Sequence, residues 1–213
     1  AQLKLYYTYA IAHPGKKLMF MGQEFGQFIE WNEAHQLDWL LLGYERHAQL
    51  QQYVRALNGI YNETPALWQD DFSWNGFQWI VPDDSSQSII VFLRRDESGN
   101  EVICVANFAP VLRPDYRFGV PNPGTYTELL NSDAKEFGGT GVCNGPVKAV
   151  KKPMHGFEHY ISVKVPPMAA VLFRVPKKRA PRAAGKRAAA KPAPGTKQRE
   201  ARGPAAGKAE QTP

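Results

Sequence analysis

The sequence predicts a mixed architecture: an α/β segment, an antiparallel β domain behind it, and a disordered basic tail. Three observations support that order. A buried-helix pattern is followed by a tight turn and a short apolar run, which is the repeating unit of an α/β fold. Six β-rich runs after Asp84 are separated by Gly, Pro, Asn and Asp, with no helical pattern between them. From Lys177 onward the chain has no aromatic and no large aliphatic side chain.

The first segment, "AQLKLYYTYAIA", is apolar on both faces and predicts a largely buried helix that stops at His13-Pro14-Gly15. No capping residue precedes it, so a buried helix opening at residue 1 suggests a chain cut inside a domain. "KKLMFMG" is short and continuously apolar, as suits a strand of a parallel sheet covered on both faces. From Tyr44 to Tyr61, residues Leu50, Tyr53, Val54, Leu57, Ile60 and Tyr61 recur at three- and four-residue spacing, an amphipathic helix ending near "NETP". The runs "SIIVFLRRD", "EVICVANF", "DYRFGV", "TYTELLNSD", "EHYISVKV" and "AAVLFRV" then predict an antiparallel sheet or sandwich.

Charge is unevenly placed. Residues 177–213 hold 11 Lys+Arg and 2 Glu, and the other 176 residues hold 15 Lys+Arg and 18 Asp+Glu. The folded part is therefore mildly acidic and the tail is basic. Such a tail cannot bury enough apolar surface to offset the entropy of ordering. It is a solubilising extension, or it makes nonspecific contact with polyanions, nucleic acid among them. Cys104 sits in an apolar run and Cys143 in a glycine-rich loop, which is no disulfide framework and fits a reducing cytoplasm. No apolar run approaches the ~18 residues of a membrane span, and no signal peptide is visible.

The chemistry concentrates between Phe20 and Trp39. Gly22, Glu24 and Gly26 follow the apolar run; the glycines let the backbone turn sharply, and Glu24 reads as a carboxylate accepting hydrogen bonds that fix the loop. Glu30, Trp31, Asn32, Asp38 and Trp39 follow in a stretch too polar and aromatic for a mere connector. Flat rings beside carboxylates and amides suit a sugar cleft, where rings stack on pyranose faces and polar groups take hydroxyls. Core packing for the two tryptophans, and loop fixing for Asn32 and Asp38, remain open beside that reading. A glycosidase needs two carboxylates facing each other across the scissile bond. Glu24, Glu30, Glu33 and Asp38 all lie in one connection, which argues against a catalytic pair here.

"AHPGKKLMFMGQEFGQ", followed by "EWN" and "LDW", resembles the bacterial 1,4-α-glucan (glycogen) branching enzymes of the α-amylase superfamily. The likeness continues through "NFAPVLRPDYRFGVPNPGTYTELLNSD" and "PPMAAVLF", covering roughly residues 1–176 and not the tail. It implies the C-terminal end of a (β/α)8 barrel at 1–84, with "LYYTYAIA" as seventh helix and "KLMFM" as eighth strand. A C-terminal β-sandwich at 85–176 and the tail at 177–213 complete the expected organisation.

The resemblance also implies cleavage of an α-1,4 link and transfer of the segment to a 6-hydroxyl, by double displacement through a covalent glycosyl-enzyme. The aspartate, glutamate and second aspartate that do this sit earlier on the family barrel, so no catalytic residue is expected in this chain. The expected partners are an α-glucan and the missing N-terminal barrel portion. No cofactor, metal or membrane is implied.

Three further stretches need a reading. "HGFEH" places His155 and His159 four apart, but in a loop entering a strand rather than on a helix, which disfavours a metal. "GGTGVCNG" lacks the Lys-Ser/Thr of a phosphate loop and reads as a flexible hairpin connection. Trp74, Phe77 and Trp79 read as a staple between the β domain and the barrel, with sugar contact as the other possibility. Rival functions are a noncatalytic glucan-binding sandwich, a tail-driven polyanion binder, and a hydrolase or debranching enzyme of the same superfamily. Alone, residues 1–80 are expected to be partly unfolded or aggregation-prone, because a single parallel strand lacks partners.

Overall fold

The computed structural model describes residues 1–177. The expectations of disorder and polyanion contact for the tail lie almost wholly outside the described residues.

Two helices form where the apolar periodicity places them. Helix α1 spans Gln2–Ala12 and buries Leu5, Tyr7, Thr8, Ile11 and Ala12. Pro14 forces His13 into extended backbone (φ −68°, ψ 146°), which ends the helix. Helix α2 spans Glu45–Glu63, buries Tyr53, Val54 and Leu57, and stops before Pro65. Thr8 and Tyr53 touch through their hydroxyls, locking the two helices together.

The β strands are β1 (Phe77–Asp84), β2 (Ile89–Arg95), β3 (Glu101–Asn107), β4 (Arg113–Val120), β5 (Thr125–Asn131), β6 (Val147–Lys148), β7 (Val150–Met154), β8 (Phe157–Val165) and β9 (Ala169–Arg174). All pairings are antiparallel, in a large sheet ordered β1-β2-β3-β9-β5-β6 and a small one ordered β4-β8-β7. The six expected runs fall on β2, β3, β4, β5, β8 and β9, with β4 and β8 each beginning one or two residues ahead of their run. The expected sandwich is present, and β1 extends its sheet to Phe77, ahead of the boundary expected after residue 84. Pro82 inside β1 disguised it; an edge strand tolerates a proline that a central strand would not.

The large sheet is covered on both faces. Ile89, Val91 and Leu93 of β2, Ile103 and Val105 of β3, and Val171 and Phe173 of β9 meet Phe118, Ile161 and Val163 of the small sheet. The intervening residues Phe92, Val102, Cys104 and Leu172 point the other way, against Tyr7, Ile11, Tyr53 and Leu57 of the helices. This explains why every residue of β3 is buried although its neighbours run antiparallel. Leu5 of α1 seats on Ala106 and Ala170, small residues that let the helix approach the sheet closely.

Residues 16–20 behave differently from the expected buried strand. They are assigned to no strand among the described residues, and Leu18 is 90% exposed and Phe20 49%. A strand needs a neighbour's N–H and C=O groups, and none of the described residues offers them here.

Candidate functional site

The site is the connection from Gly22 to Trp39, which leaves the end of the extended run and returns to α2. Its first turn is a short 3-10 helix, Gln23–Phe25, flanked by Gly22 and Gly26 at φ 82° and 71°. Both lie in the left-handed region that glycine adopts without strain. Gly22 is also hemmed in, because a Cβ there would stand 3.0 Å from the Gln27 side chain.

Several bonds fasten this turn to the helices. The Tyr7 hydroxyl donates to the Gln23 carbonyl at 2.8 Å, and His47 Nδ1 donates to the Phe25 carbonyl at 2.7 Å. Burial pushes the Tyr7 phenol above its ordinary pKa, with Tyr6 and Glu24 adding to the shift. That phenol therefore stays protonated and keeps donating at neutral pH.

The loop-fixing role expected of Glu24 falls instead to Gln23 and Gln27. Gln23 Oε1 accepts the Phe20 N–H at 2.9 Å. Gln27 Oε1 accepts the Asp38 N–H at 2.9 Å, and its Nε2 donates to the Ile29 carbonyl at 3.1 Å. The half-buried Glu24 makes no side-chain hydrogen bond among the described residues. The two glutamines had no spacing or charge signature to single them out.

The structure brings Glu30, Asn32 and Asp38 together around a cleft of about 510 Å³, beside Gln27 and His35. Asn32 Oδ1 accepts the Ala34 N–H at 2.9 Å, which turns the chain sharply, so Asn32 has a structural duty of its own. The Asp38 carbonyl accepts the Leu41 N–H at 2.9 Å and starts the turn Trp39–Gly43. Trp31 and Trp39 are outside the cleft lining and remain 39% and 48% exposed. Trp31 packs edge-on against Phe20 at 5.7 Å, and Trp39 lies 5.2 Å from the fully buried Phe25 at a 34° tilt. Each tryptophan is thus anchored on one side and open on the other, while carboxylate and amide groups stand nearby. Such an arrangement can hold a polyhydroxylated chain by stacking and hydrogen bonding.

The other stretches have simpler roles. His155 and Gly156, at φ 47° and 79°, form the tight turn of the β7–β8 hairpin, and His155 Nδ1 accepts the Gly119 N–H at 3.3 Å. No group of three or more His, Cys, Asp or Glu is placed to hold a metal among the described residues. The "GGTGVCNG" loop is well tied: Asp133 accepts from Thr140 N at 2.9 Å and Val142 N at 3.1 Å, and Glu128 accepts from Asn144 N at 2.9 Å. Phe77 and Trp79 pack on His13 at the end of α1, at 5.4 and 6.1 Å, whereas Trp74 is 79% exposed.

Comparison with known proteins adds two kinds of likeness. Residues 79–176 match the family described as "Alpha amylase, C-terminal all-beta domain". Over 176 residues, 82% of this chain, it is 47% identical to the 1,4-alpha-glucan branching enzyme of Halothermothrix orenii. It is 47% identical over 176 residues to that of Aquifex aeolicus, and 45% over 179 residues, 84% of this chain, to that of Pseudomonas syringae pv. tomato. The chain spans only 28%, 28% and 24% of the length of these three relatives, respectively.

Among solved structures it resembles a debranching enzyme of Nostoc punctiforme, with a TM-score of 0.51 and 15% identity, covering 81% of this chain and 31% of that one. It also resembles the protein Ttha1563 of Thermus thermophilus, with a TM-score of 0.51 and 19% identity, covering 81% of this chain and 30% of that one. At these identities the likeness is one of fold.

Proposed function

We propose that this chain is the C-terminal part of a 1,4-α-glucan branching enzyme of the α-amylase superfamily. In this reading, residues ahead of the sheet close a (β/α)8 barrel, and residues 16–21 pair with barrel strands from the rest of the protein. The catalytic aspartate, glutamate and aspartate lie outside these 213 residues. The whole enzyme cleaves an α-1,4 link and transfers the freed segment to a 6-hydroxyl. The loop of residues 22–39 contributes glucan contacts: Glu30, Asn32 and Asp38 take hydroxyls, and Trp31 and Trp39 offer stacking faces. The setting is the cytoplasm, which suits the two unpaired cysteines.

The observation that carries this reading is identity of 45–47% over more than four-fifths of the chain. Barrel and sandwich alone would not do, because that architecture hosts many activities. A chimera supplies the test, with residues 1–176 replacing the matching stretch of the Halothermothrix orenii relative. The expected result is amylose converted to product with new α-1,6 links. A folded chimera that only hydrolyses amylose, or leaves it unchanged, overturns the reading.

A further inference from the structure

Residues 28–37 form no helix or strand. Their internal bonds are local, such as Ala34 N–H to Asn32 Oδ1. One side chain reaches both ends of the stretch. Gln27 donates from Nε2 to the Ile29 carbonyl at the start and accepts the Asp38 N–H on Oε1 at the finish. Gln27 is itself fixed, since its backbone N–H donates to the Gly22 carbonyl at 2.9 Å and its side chain lies against Gly22. A Cβ at position 22 would crowd that side chain at 3.0 Å, and the φ of 82° also favours glycine there.

We propose that Gln27 is a positioning residue for glucan: its side-chain amide closes the loop and holds Asp38 beside Glu30 and Asn32 around the cleft. This rests on reading the loop as a glucan-contact segment. A neutral amide does both jobs, because it donates from one atom and accepts on the other. A carboxylate would keep the bond from Asp38 and repel the Ile29 carbonyl. A methionine of similar length would keep the packing and lose both bonds.

The experiment uses the 213-residue chain with Gln27→Met and Gln27→Glu, maltoheptaose as probe, and hydrogen exchange read residue by residue. In Gln27→Met, the Asp38 amide should exchange about tenfold faster, the scale of one net hydrogen bond, with α2 unchanged. Affinity for maltoheptaose should fall about tenfold, while the midpoint of thermal unfolding holds. Gln27→Glu, which keeps the Asp38 bond, should recover the Asp38 protection and part of the affinity. Unchanged Asp38 protection in Gln27→Met overturns the proposal, and so does lost protection with unchanged affinity. If the unsubstituted chain binds no maltoheptaose, the glucan reading of the loop falls as well, which separates that failure from the first two.

Discussion

Arg94, next to the last residue of β2, donates from Nη1 to the carbonyl of Ala12 at 2.7 Å, at the last turn of α1. The guanidinium is fully buried. It also bonds the Gly76 carbonyl at 3.1 Å and the Asp71 carboxylate, which Lys17 approaches to 3.7 Å. A cation at a helix C-terminus satisfies carbonyls that have no partner within the helix and meets the negative end of its dipole. Lys4 Nζ makes a similar bond in the opposite sense, donating from α1 to the Phe137 carbonyl at 2.7 Å. Cations therefore tie the helices to the β domain at both ends of α1, and the loop that follows α1 starts from a fixed place.

Replacing Arg94 by Met should cost about 3–5 kcal/mol, since it strands the Asp71 carboxylate and two carbonyls away from water. Arg94→Lys should recover less than half, because an ammonium cannot fork toward three acceptors. Urea unfolding midpoints measure this; a loss below about 1 kcal/mol would show the network to be incidental.

The tyrosines set the alkaline limit of the fold. Burial pushes the phenols of Tyr53, Tyr116 and Tyr126 well above their ordinary pKa, and the bond from Tyr116 to Asp84 adds to its shift. A folded-state pKa above the unfolded value of about 10 means stability is fully present below pH 10 and is lost as pH rises beyond it. Tyrosinate absorbance should therefore lag behind that of the urea-unfolded chain above about pH 10, and unfolding midpoints should drop between about pH 10 and 12.

The two thiols should separate cleanly. Cys104 is 1% exposed and burial raises its pKa, while Cys143 is exposed and is raised less directly, by partial burial and then by Glu128, Asp133 and Glu136. Iodoacetamide at about pH 8 should label Cys143 slowly in the native chain and Cys104 only after unfolding. Mass spectrometry of the intact chain checks this.

Trp31→Ala and Trp39→Ala should each weaken maltoheptaose binding about two- to tenfold, the loss of one stacking face. The melting temperature should change little, because both rings are substantially exposed. Calorimetric titration distinguishes this from a purely structural role, in which stability falls and affinity does not.

Much of this fold was legible in the sequence, for reasons tied to particular elements. The periodicity of α2 and the apolar runs of β2, β3, β5, β8 and β9 reflect burial within this chain, so pattern and structure agree. Strands β6 and β7 were missed because Lys148, Lys151 and Lys152 point to solvent at an edge and Pro153 breaks the β signal. "KKLMFM" has a strand's composition, but a ladder depends on a neighbour, and composition cannot supply one. In the loop, carboxylates and tryptophans drew attention through their chemistry. The hydrogen bonds that shape the loop come instead from Gln23 and Gln27, whose partners are backbone groups close by and eleven residues away.

With glucan contacts proposed for residues 22–39 and the catalytic carboxylates proposed to lie outside this chain, the chain should bind amylose without branching it. The decisive assay incubates the chain alone with amylose, follows the iodine complex, and debranches the product to detect new α-1,6 links. We expect an unchanged iodine colour and no branches. New branches that persist through repurification would refute the assignment of catalysis to residues outside this chain, and would make Glu24, Glu30 and Asp38 the first residues to replace.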